Sequence, residues 1–354
     1  MKKIVSIVGA RPQFIKYAPL SKLLREEFKE ILIHTGQHYD KNMSHLFFEQ
    51  LRIPKPDYNL GVGSGRHGWQ TGKMLIKIEE VLIKEKPSLV IVYGDTNSTL
   101  AGALSAVKLN ILIAHIEAGV RSFNRNMPEE HNRIVTDHLS DFLFAPSRLA
   151  MKNLFNEGLK KKSYFVGDIM YDALLENQKI AEKESNILKK LNLKENNYYL
   201  ATIHRPYNTD NIVNLKNIIN ALSELDLKVV FPVHPRTRKF LKLFNINTSE
   251  KIMLIEPVGY LDMLILIKYC KKVLTDSGGL QKEAFYFKKQ VIVLREETEW
   301  KELVESGWAK LAGAVKERIL KFTLESDKNK KYFFPYGKGD AAIKITKYIK
   351  KFLL

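Results

Sequence analysis

The stretch ILIAHIEAGVRSFNRNMPEEHNRIVTDHLSD, Ile111 to Asp141, passes from an apolar run into a dense group of charged residues. Its opening, Ile111 to Ile116, is the kind of short apolar run that forms a buried strand. Gly119 permits a sharp turn, and Pro128 suits the first turn of a helix, whose positive end favours the two acids that follow. A strand end, a loop and a helix start therefore succeed one another, and in open α/β sheets ligands bind there. A structural turn rarely combines three acids, three arginines and a histidine, so a functional site is favoured over a solvated surface.

Short β-branched runs alternate with longer amphipathic stretches along nearly the whole chain, which is typical of parallel sheets with crossover helices. The predicted strands of the first half are Lys3 to Val8, Ile31 to His34, Leu89 to Tyr93, Ile111 to Ile116, Phe142 to Ala145 and Tyr164 to Val166. Those of the second half are Tyr199 to Ile203, Lys228 to Phe231, Ile252 to Ile255, Lys272 to Thr275 and Val291 to Leu294. The repetition predicts an α/β fold with two Rossmann-like domains that face each other across a central cleft.

The length of 354 residues suits two domains of ordinary size. We expect an N-terminal domain over residues 1–167 and a C-terminal domain over 168–340, with the hinge near Gly167 and Asp168. The amphipathic segment 341–354 is expected to be a helix that packs back on one of the domains, the N-terminal domain included, and the sequence does not decide which.

Composition limits the classes of function. Hydrophobic residues at 45% and charged residues at 27% are values for a globular protein. The net charge of +18 would suit nucleic acid or a phosphorylated small molecule, but the lysines are scattered and lack a nucleic-acid-binding motif. We therefore expect no nucleic-acid partner and a positive cleft for an anionic substrate. Apolar runs fall short of the roughly 20 residues of a membrane span, so a cytoplasmic protein without membrane association is predicted. The single cysteine, Cys270, is interpreted as a buried structural thiol.

The first predicted strand ends in GARPQFIK, where Arg11 and Lys16 can project toward an anion at the start of a helix. The alternative is a helix cap with surface cations. The phrase is not a Walker A loop, so ATP hydrolysis has no support. Further on, GVGSGRHG (Gly61 to Gly68) is interpreted as a mobile loop because it follows no convincing strand.

Two acids follow consecutive predicted strands. Asp95 lies in YGDTNST, at the end of one strand, and Glu117 follows the next. If these strands are neighbours in a parallel sheet, their carboxylates converge, as proton transfer to and from carbon requires. The simpler alternative for Asp95 is a helix N-cap.

The second half carries groups suited to a nucleoside diphosphate. His204 and His234 each follow a strand and can meet negative charge. In TDSGGLQKEAF, the backbone N–H groups of Ser277, Gly278 and Gly279 open a helix without a side chain that would block a diphosphate. Glu283 lies one helical turn further on, where a carboxylate suits a ribose diol. Arg295 follows the next strand. A purely structural Gly-Gly turn is the alternative.

Together these phrases resemble a known family. GARPQFIK, TGQHYD, YGDTNSTLAGALSA, HIEAGVRS, PEEHNR, HRPYN, FPVHPRT, TDSGGLQKEA and REETEW occur in the order found in non-hydrolysing UDP-N-acetylglucosamine 2-epimerases, over residues 4–305. The resemblance implies the GT-B architecture, with UDP-N-acetylglucosamine and UDP-N-acetylmannosamine as substrates. It also implies a homodimer that uses neither a metal nor another cofactor.

The family mechanism is elimination of UDP through 2-acetamidoglucal, followed by its re-addition. By motif position Asp95, Glu117 and Glu129 resemble the catalytic acids, although the base among them is not assigned, and His204 resembles the histidine that assists UDP departure. Members of the family that bind a second UDP-N-acetylglucosamine as activator use the neighbourhoods of Gln37 and Gln70, which are therefore candidates for a regulatory site.

The chain departs from many bacterial members at Pro206-Tyr207 and at Trp300-Lys301, so the resemblance leaves the sugar preference and the activator site open. The competing readings are a hydrolysing epimerase that releases N-acetylmannosamine, a GT-B glycosyltransferase and a basic nucleic-acid-binding protein.

Overall fold

The computed structural model describes residues 1–37, 48–326 and 331–354. The chain forms two compact units, Met1–Asn177 together with Phe334–Leu354, and Gln178–Phe333. The end of the TGQHYD phrase, residues 38–40, lies outside the described residues. The division between the units falls inside one helix, Ile169–Glu184.

The described part of the first unit contains a parallel sheet of seven strands in the order β3-β2-β1-β4-β5-β6-β7. The strands are β1 (Lys3–Val8), β2 (Lys29–His34), β3 (Tyr58–Asn59), β4 (Leu89–Tyr93), β5 (Leu112–Ile116), β6 (Phe142–Ala145) and β7 (Ser163–Phe165). The central strand β4, LVIVY, is buried at every position, because helices cover both faces of a parallel sheet.

The helices of this unit include α1 (Arg11–Glu27), α2 (His67–Glu85), α3 (Asn97–Lys108), α4 (Pro128–Leu139), α5 (Arg148–Asn156) and, from the chain end, α15 (Ala341–Leu353). Helix α6 (Ile169–Glu184) runs from this unit into the second. A 3-10 turn at Lys160–Lys162 leads into β7.

The second unit has a parallel sheet of six strands within its described residues, in the order β10-β9-β8-β11-β12-β13. Its strands are β8 (Tyr198–Thr202), β9 (Lys228–Pro232), β10 (Ile252–Ile255), β11 (Lys272–Thr275), β12 (Gln290–Val293) and β13 (Ala309–Leu311). Its remaining helices are α7 (Ile187–Lys190), α8 (Pro206–Thr209), α9 (Ile212–Glu224), α10 (Pro235–Leu243), α11 (Tyr260–Tyr269), α12 (Gly278–Tyr286), α13 (Lys301–Glu305) and α14 (Lys316–Leu324).

Both sheets reverse their strand order beside their first strand. β1 lies between β2 and β4, and β8 lies between β9 and β11. In doubly wound sheets such a switch point opens a crevice outside the carboxyl ends of the two central strands. The loops that follow β1 and β4 in the first unit, and β8 and β11 in the second, are therefore placed to bind ligands.

All eleven predicted strands are present, five with the predicted bounds and six with bounds that differ by one or two residues. Strands β3 and β13 were not predicted, because they are edge strands of two and three residues and are too short for a periodic signal. The two-residue β3 also precedes the GVGSGRHG loop, contrary to our expectation, and α2 begins at His67.

The last helix, α15, packs against α1 in the first unit. Lys350 Nζ contacts Glu27 Oε1 at 2.6 Å, and the backbone N–H of Ala342 donates to Asp172 Oδ1 at 2.9 Å. The ring of Phe352 stacks on Phe142 of β6 with centroids 4.1 Å apart. The helix thus covers the end of the first sheet.

The thiol of Cys270 is buried directly after α11, and burial raises its pKa to about 12. The predicted burial of this thiol is confirmed. Among the helices of the described residues, none has both the length and the apolar character needed to cross a membrane.

Candidate active site

The turn after β1 is built on a glycine that no other residue can replace without movement. A Cβ atom on Gly9 would lie 2.1 Å from both Ser98 Oγ and Thr35 Oγ1. Gln13 Oε1 accepts hydrogen bonds from the backbone N–H groups of Gly9 and Ala10, at 2.8 and 3.1 Å. Its Nε2 donates to the carbonyl of Tyr93 at 2.8 Å. Gln13 therefore ties the start of α1 to the end of β4.

Lys16 forms an ion pair with Glu117. The distance from Lys16 Nζ to Glu117 Oε1 is 2.6 Å, and the two side chains are 6% and 10% exposed. The alternative of a surface cation is therefore wrong for Lys16. Arg11, the first residue of α1, is only half-buried.

The backbone of Glu117 has φ of +73°, a left-handed conformation that strains a residue with a side chain by roughly 1–2 kcal/mol. Its N–H donates to the carbonyl of Phe144 in β6 at 3.1 Å, which holds the turn. Such strain is typical of functional turns.

Asp95 contacts the guanidinium of Arg133 in α4, with 2.5 Å between Oδ2 and Nη2. Thr96, and not Asp95, caps α3, so the N-cap alternative for Asp95 is wrong. β4 and β5 are paired neighbours, as predicted. A Cβ on Gly94, the residue before Asp95, would lie 3.0 Å from Lys16 Nζ and 3.7 Å from Glu117 Oε1. The structure thus brings the turns of Asp95 and Glu117 together.

The acids at the start of α4 have different environments. Glu129 is half-buried in the first turn, whereas Glu130 is buried. The Glu130 carboxylate accepts from the backbone N–H groups of Ser122 and Phe123, from the Ser122 hydroxyl and from Arg133 Nη1, all at 2.8–2.9 Å. Sequence reasoning missed this role. The spacing of three residues between Glu130 and Arg133 could have indicated that the two side chains meet on one face of the helix.

The two candidate regulatory residues meet on the first turn of α3. Gln37 Oε1 accepts from the backbone N–H and the hydroxyl of Ser98, at 3.1 and 2.7 Å. Gln70 Oε1 accepts from Asn97 Nδ2 at 2.8 Å, and its Nε2 donates to the carbonyl of Gly63 at 2.7 Å. Both glutamines therefore buttress the segment that follows Asp95, and Gln70 also anchors the GVGSGRHG loop.

In the second unit, the buried carboxylate of Asp276 organises the turn after β8. It accepts from the backbone N–H groups of His204 and Arg205 and from Asn208 Nδ2, at 3.0–3.1 Å. Its Oδ1 lies 3.3 Å from His204 Nδ1. Asp276 thus orients His204, and sequence reasoning missed it although it directly follows β11. The ring of His234, the N-cap of α10, lies 5.9 Å from that of His204.

The Gly-Gly turn begins α12 immediately after β11, with Ser277 as N-cap. A Cβ on Gly278 would lie 2.2 Å from Glu299 Oε1, and Trp300 Nε1 donates to the carbonyl of Gly278 at 2.9 Å. Arg295 Nη1 contacts Glu299 Oε2 at 3.0 Å. Glu299 and Trp300 therefore pack directly on this turn, and Trp300 is one of the residues at which the chain departs from many bacterial members.

Gly279 follows Gly278 in the first turn of α12, and Glu283 is buried one turn later. The helix start presents backbone N–H groups, which suit a phosphate. Within the described ranges, His, Cys, Asp and Glu side chains do not gather in groups of three or more that would hold a metal ion.

Each unit has its own chemistry. The first unit combines carboxylates with a buried lysine at one sheet edge, which suits proton transfer with charge stabilisation. The second unit combines a glycine-rich helix start with an oriented histidine, which suits a diphosphate.

Comparison with known proteins shows the family to which the chain is similar. Residues 22–350 match the family model described as UDP-N-acetylglucosamine 2-epimerase. The chain is 54% identical to a UDP-N-acetylglucosamine 2-epimerase homolog of Methanococcus maripaludis, over 98% of this chain and 99% of that protein. It is 48% identical to the UDP-2,3-diacetamido-2,3-dideoxy-D-glucuronate 2-epimerase of Pseudomonas aeruginosa, over 99% of each chain.

A solved structure extends the comparison. The crystal structure of Methanocaldococcus jannaschii UDP-GlcNAc 2-epimerase in complex with UDP-GlcNAc and UDP is similar to this chain, with a TM-score of 0.93 and 47% identity. The match covers 99% of this chain and 100% of that one.

Proposed function

Because this chain belongs to the UDP-N-acetylglucosamine 2-epimerase family, we propose that it reversibly interconverts UDP-N-acetylglucosamine and UDP-N-acetylmannosamine without hydrolysis. The family and the GT-B-like α/β class predicted from the motifs are confirmed. The family is one of enzymes that act on nucleotide sugars.

The observation that carries the proposal is the convergence of Asp95, Glu117 and Lys16 at one sheet edge. In the proposed reaction a carboxylate removes the hydrogen on carbon 2 as a proton. The electron pair of that C–H bond forms the double bond between carbons 1 and 2, and the bond from carbon 1 to UDP breaks with its pair on UDP. Re-addition of UDP and delivery of a proton to the opposite face of carbon 2 give the epimer. The reaction conserves all atoms and needs no external oxidant.

The catalytic roles follow from the contacts. We assign Asp95, Glu117 and Glu129 to acid–base catalysis near carbon 2. Lys16 stabilises the charged form of Glu117. We assign His204, oriented by Asp276, to assist the departing diphosphate. Arg11, His234, Arg295, Glu283 and the turn Ser277–Gly279 are assigned to binding of UDP, on the strength of the glycine-rich helix start.

A second candidate substrate has a specific observation in its favour. The relative from Pseudomonas aeruginosa, named for a diacetamido glucuronate, is as similar to this chain as the UDP-N-acetylglucosamine 2-epimerase of Methanocaldococcus jannaschii, at 48% and 47% identity. The two sugars share carbon 2 chemistry but differ in their substituents elsewhere on the ring. We therefore keep the UDP-2,3-diacetamido sugar acid as the alternative.

We also propose that the protein is a cytoplasmic homodimer. Three exposed apolar side chains, Trp69, Ile76 and Ile83, recur every seven residues along α2, with exposed fractions of 51%, 59% and 55%. Residues seven apart share one helix face, so they form an apolar stripe, which suits a contact with a second copy.

One assay tests the catalytic proposal. The protein is incubated with UDP-N-acetylglucosamine in deuterated water and followed by proton NMR, with UDP-2,3-diacetamido-2,3-dideoxyglucuronate in a parallel tube. We expect deuterium at carbon 2 of both UDP-N-acetylglucosamine and UDP-N-acetylmannosamine. Free N-acetylmannosamine would establish a hydrolysing enzyme instead. Turnover in the parallel tube alone would establish the sugar acid as substrate, and two untouched substrates would contradict the proposal.

A further inference from the structure

A buried histidine lies under both acid-bearing turns of the first unit. His115 belongs to β5 and has no exposed surface. Its Nδ1 lies 2.7 Å from Asp137 Oδ1, and its Nε2 lies 2.7 Å from the carbonyl oxygen of Gly94. Both partners are acceptors in this geometry, so each ring nitrogen carries a hydrogen and donates it.

The partners of the ring connect the two turns. Gly94 precedes Asp95, and His115 itself precedes Glu117 by two residues. The second oxygen of Asp137 accepts from the backbone N–H of Gly119, at 3.0 Å, on the far side of Glu117. One buried pair therefore fixes the backbone next to Asp95 and on both sides of Glu117.

The Asp137 carboxylate is held in its charged form. Burial alone would raise its pKa, but His115 and Arg121 outweigh burial and lower the pKa below its ordinary value. Arg121 Nη2 lies 2.7 Å from Asp137 Oδ2 and also 2.7 Å from Glu157 Oε2. Asp137 of α4 thus faces the ring, Arg121 and Glu157 follow one step further, and Lys162 also interacts electrostatically with Asp137.

The turns need such support because Glu117 is strained and its neighbours Gly94 and Gly119 are left-handed, a conformation that glycine adopts without strain. Gly94, Glu117 and Gly119 have φ of +64°, +73° and +79°. Gly94 also lies against Lys16, as its virtual Cβ distance of 3.0 Å shows. A displacement of about 1 Å of a reacting group can reduce a rate about a hundredfold, so a bond that fixes Gly94 bears on catalysis.

We propose that His115 is a positioning residue for the epimerisation, acting through its Nε2–H donation to the carbonyl of Gly94, which sets Asp95 relative to Glu117. The proposal rests on the proposed function. It separates two roles of the ring: the bond to Asp137 stabilises the fold of the first unit, and the bond to Gly94 aligns the acids.

Two substitutions separate these roles because each keeps one donor. The side-chain nitrogen of glutamine reaches the place of His Nε2, and that of asparagine reaches the place of His Nδ1. His115→Gln therefore retains the donor to Gly94, whereas His115→Asn retains the donor to Asp137. Both variants lose the ring and leave a smaller or more flexible side chain in the same buried space.

The experiment measures kcat and KM by carbon 2 deuterium exchange, UDP affinity by calorimetry and urea unfolding for the wild type and both variants. We expect His115→Gln to keep kcat within about tenfold of the wild type and His115→Asn to lose at least about a hundredfold. KM and the Kd for UDP should change less than about threefold in both, since binding groups are untouched.

Equal losses of kcat in the two variants, or losses that follow the urea midpoints, would overturn the positioning role while leaving the epimerase intact. An inactive wild type would instead overturn the proposed function, and with it this role. If a variant does not fold, NMR of the wild type labelled with nitrogen-15 at histidine decides. A hydrogen on Nε2 of His115 supports the proposal, and an Nε2 without a hydrogen overturns it.

Discussion

The Nζ atom of Lys16 lies 2.6 Å from Oε1 of Glu117, and water reaches little of either side chain. An ion pair that is mostly removed from water interacts more strongly than a surface pair. The lysine is therefore placed to stabilise the carboxylate when the carboxylate is charged, and this stabilisation is lost when the carboxylate takes up a proton.

Glu117→Gln and Asp95→Asn are each expected to lower kcat by at least about a hundredfold, the contribution usual for general acid–base groups. The amides keep the size of the side chains but cannot take up a proton. The rate of deuterium incorporation at carbon 2 measures the effect. Glu176→Gln is the control, because Glu176 is an exposed partner of Lys22 in the same unit. A near-normal rate would remove the substituted acid from the mechanism.

Asp276→Asn is expected to lower kcat about tenfold or more. The new amide N–H group would point at N–H donors that now bind a carboxylate oxygen, so hydrogen bonds would be lost and His204 would lose its orientation. Steady-state kinetics and UDP calorimetry measure the change. Asp226→Asn, at a half-exposed carboxylate of the second unit, is the matched control. Unchanged kinetics in Asp276→Asn would show that His204 does not depend on this contact.

Gly119→Ala is expected to destabilise the first unit by at least about 3 kcal/mol, since it combines left-handed strain with a clash. The new Cβ would lie 2.4 Å from the carbonyl oxygen of Ala150 and 2.7 Å from Leu154 Cγ. Gly158 has a nearly equal φ of +78° but open space around its Cβ position. Gly158→Ala should therefore cost only about 1 kcal/mol. Urea unfolding followed by circular dichroism compares them, and equal midpoints would contradict the clash.

Ile76→Glu is expected to convert the proposed dimer into monomers, because a charge in a buried apolar contact is strongly unfavourable. Light scattering after size exclusion should then give the single-chain mass of 40.9 kDa in place of twice that value. Val213→Glu places the same charge at an equally exposed apolar residue, 60% exposed, of the second unit. If Ile76→Glu and Val213→Glu have the same mass, the stripe on α2 is not the interface.

Asp172 is expected to make stability depend on pH. Burial, with smaller contributions from Asp168 and Asp340, raises the pKa of its carboxyl to about 6, against the favourable N–H groups of Ala341 and Ala342. The ordinary value is about 3.9. Between these two values the folded protein binds more protons than the unfolded chain. Stability therefore falls as pH rises from about 4 to about 6.

Asp172→Asn removes this dependence and leaves the oxygen that accepts from Ala342 in place. Urea unfolding at pH 4.5 and at pH 7 measures the free energy of unfolding. From pH 4.5 to pH 7 this free energy should decrease more for the wild type than for the variant, by an amount on the order of 1–3 kcal/mol for a pKa shift of this size. Glu176→Gln should behave like the wild type. Parallel pH profiles for Asp172→Asn and the wild type would exclude a shifted carboxyl at this position.

The sequence by itself determined the α/β class, the eleven longer strands and the family. These features are local, because the apolar period of a strand and the glycine and proline residues of a turn are read within a few neighbouring residues. The same local pattern placed Asp95, Glu117, His204 and Ser277 after strands. Asp95, His204 and Ser277 follow strands that flank the two switch points, and Glu117 follows the strand next to β4.

Only the tertiary structure decided which polar side chains meet. Glu130 binds the loop at Ser122. Asp276 reaches His204 over 72 residues of chain, and Asp172 reaches Ala342 over 170, which places α15 in the first unit. His115 of β5 likewise pairs with Asp137 of α4, the crossover helix that follows it. Such contacts depend on how the chain closes on itself and on which face of each element is buried, and neither leaves a periodic trace in the sequence.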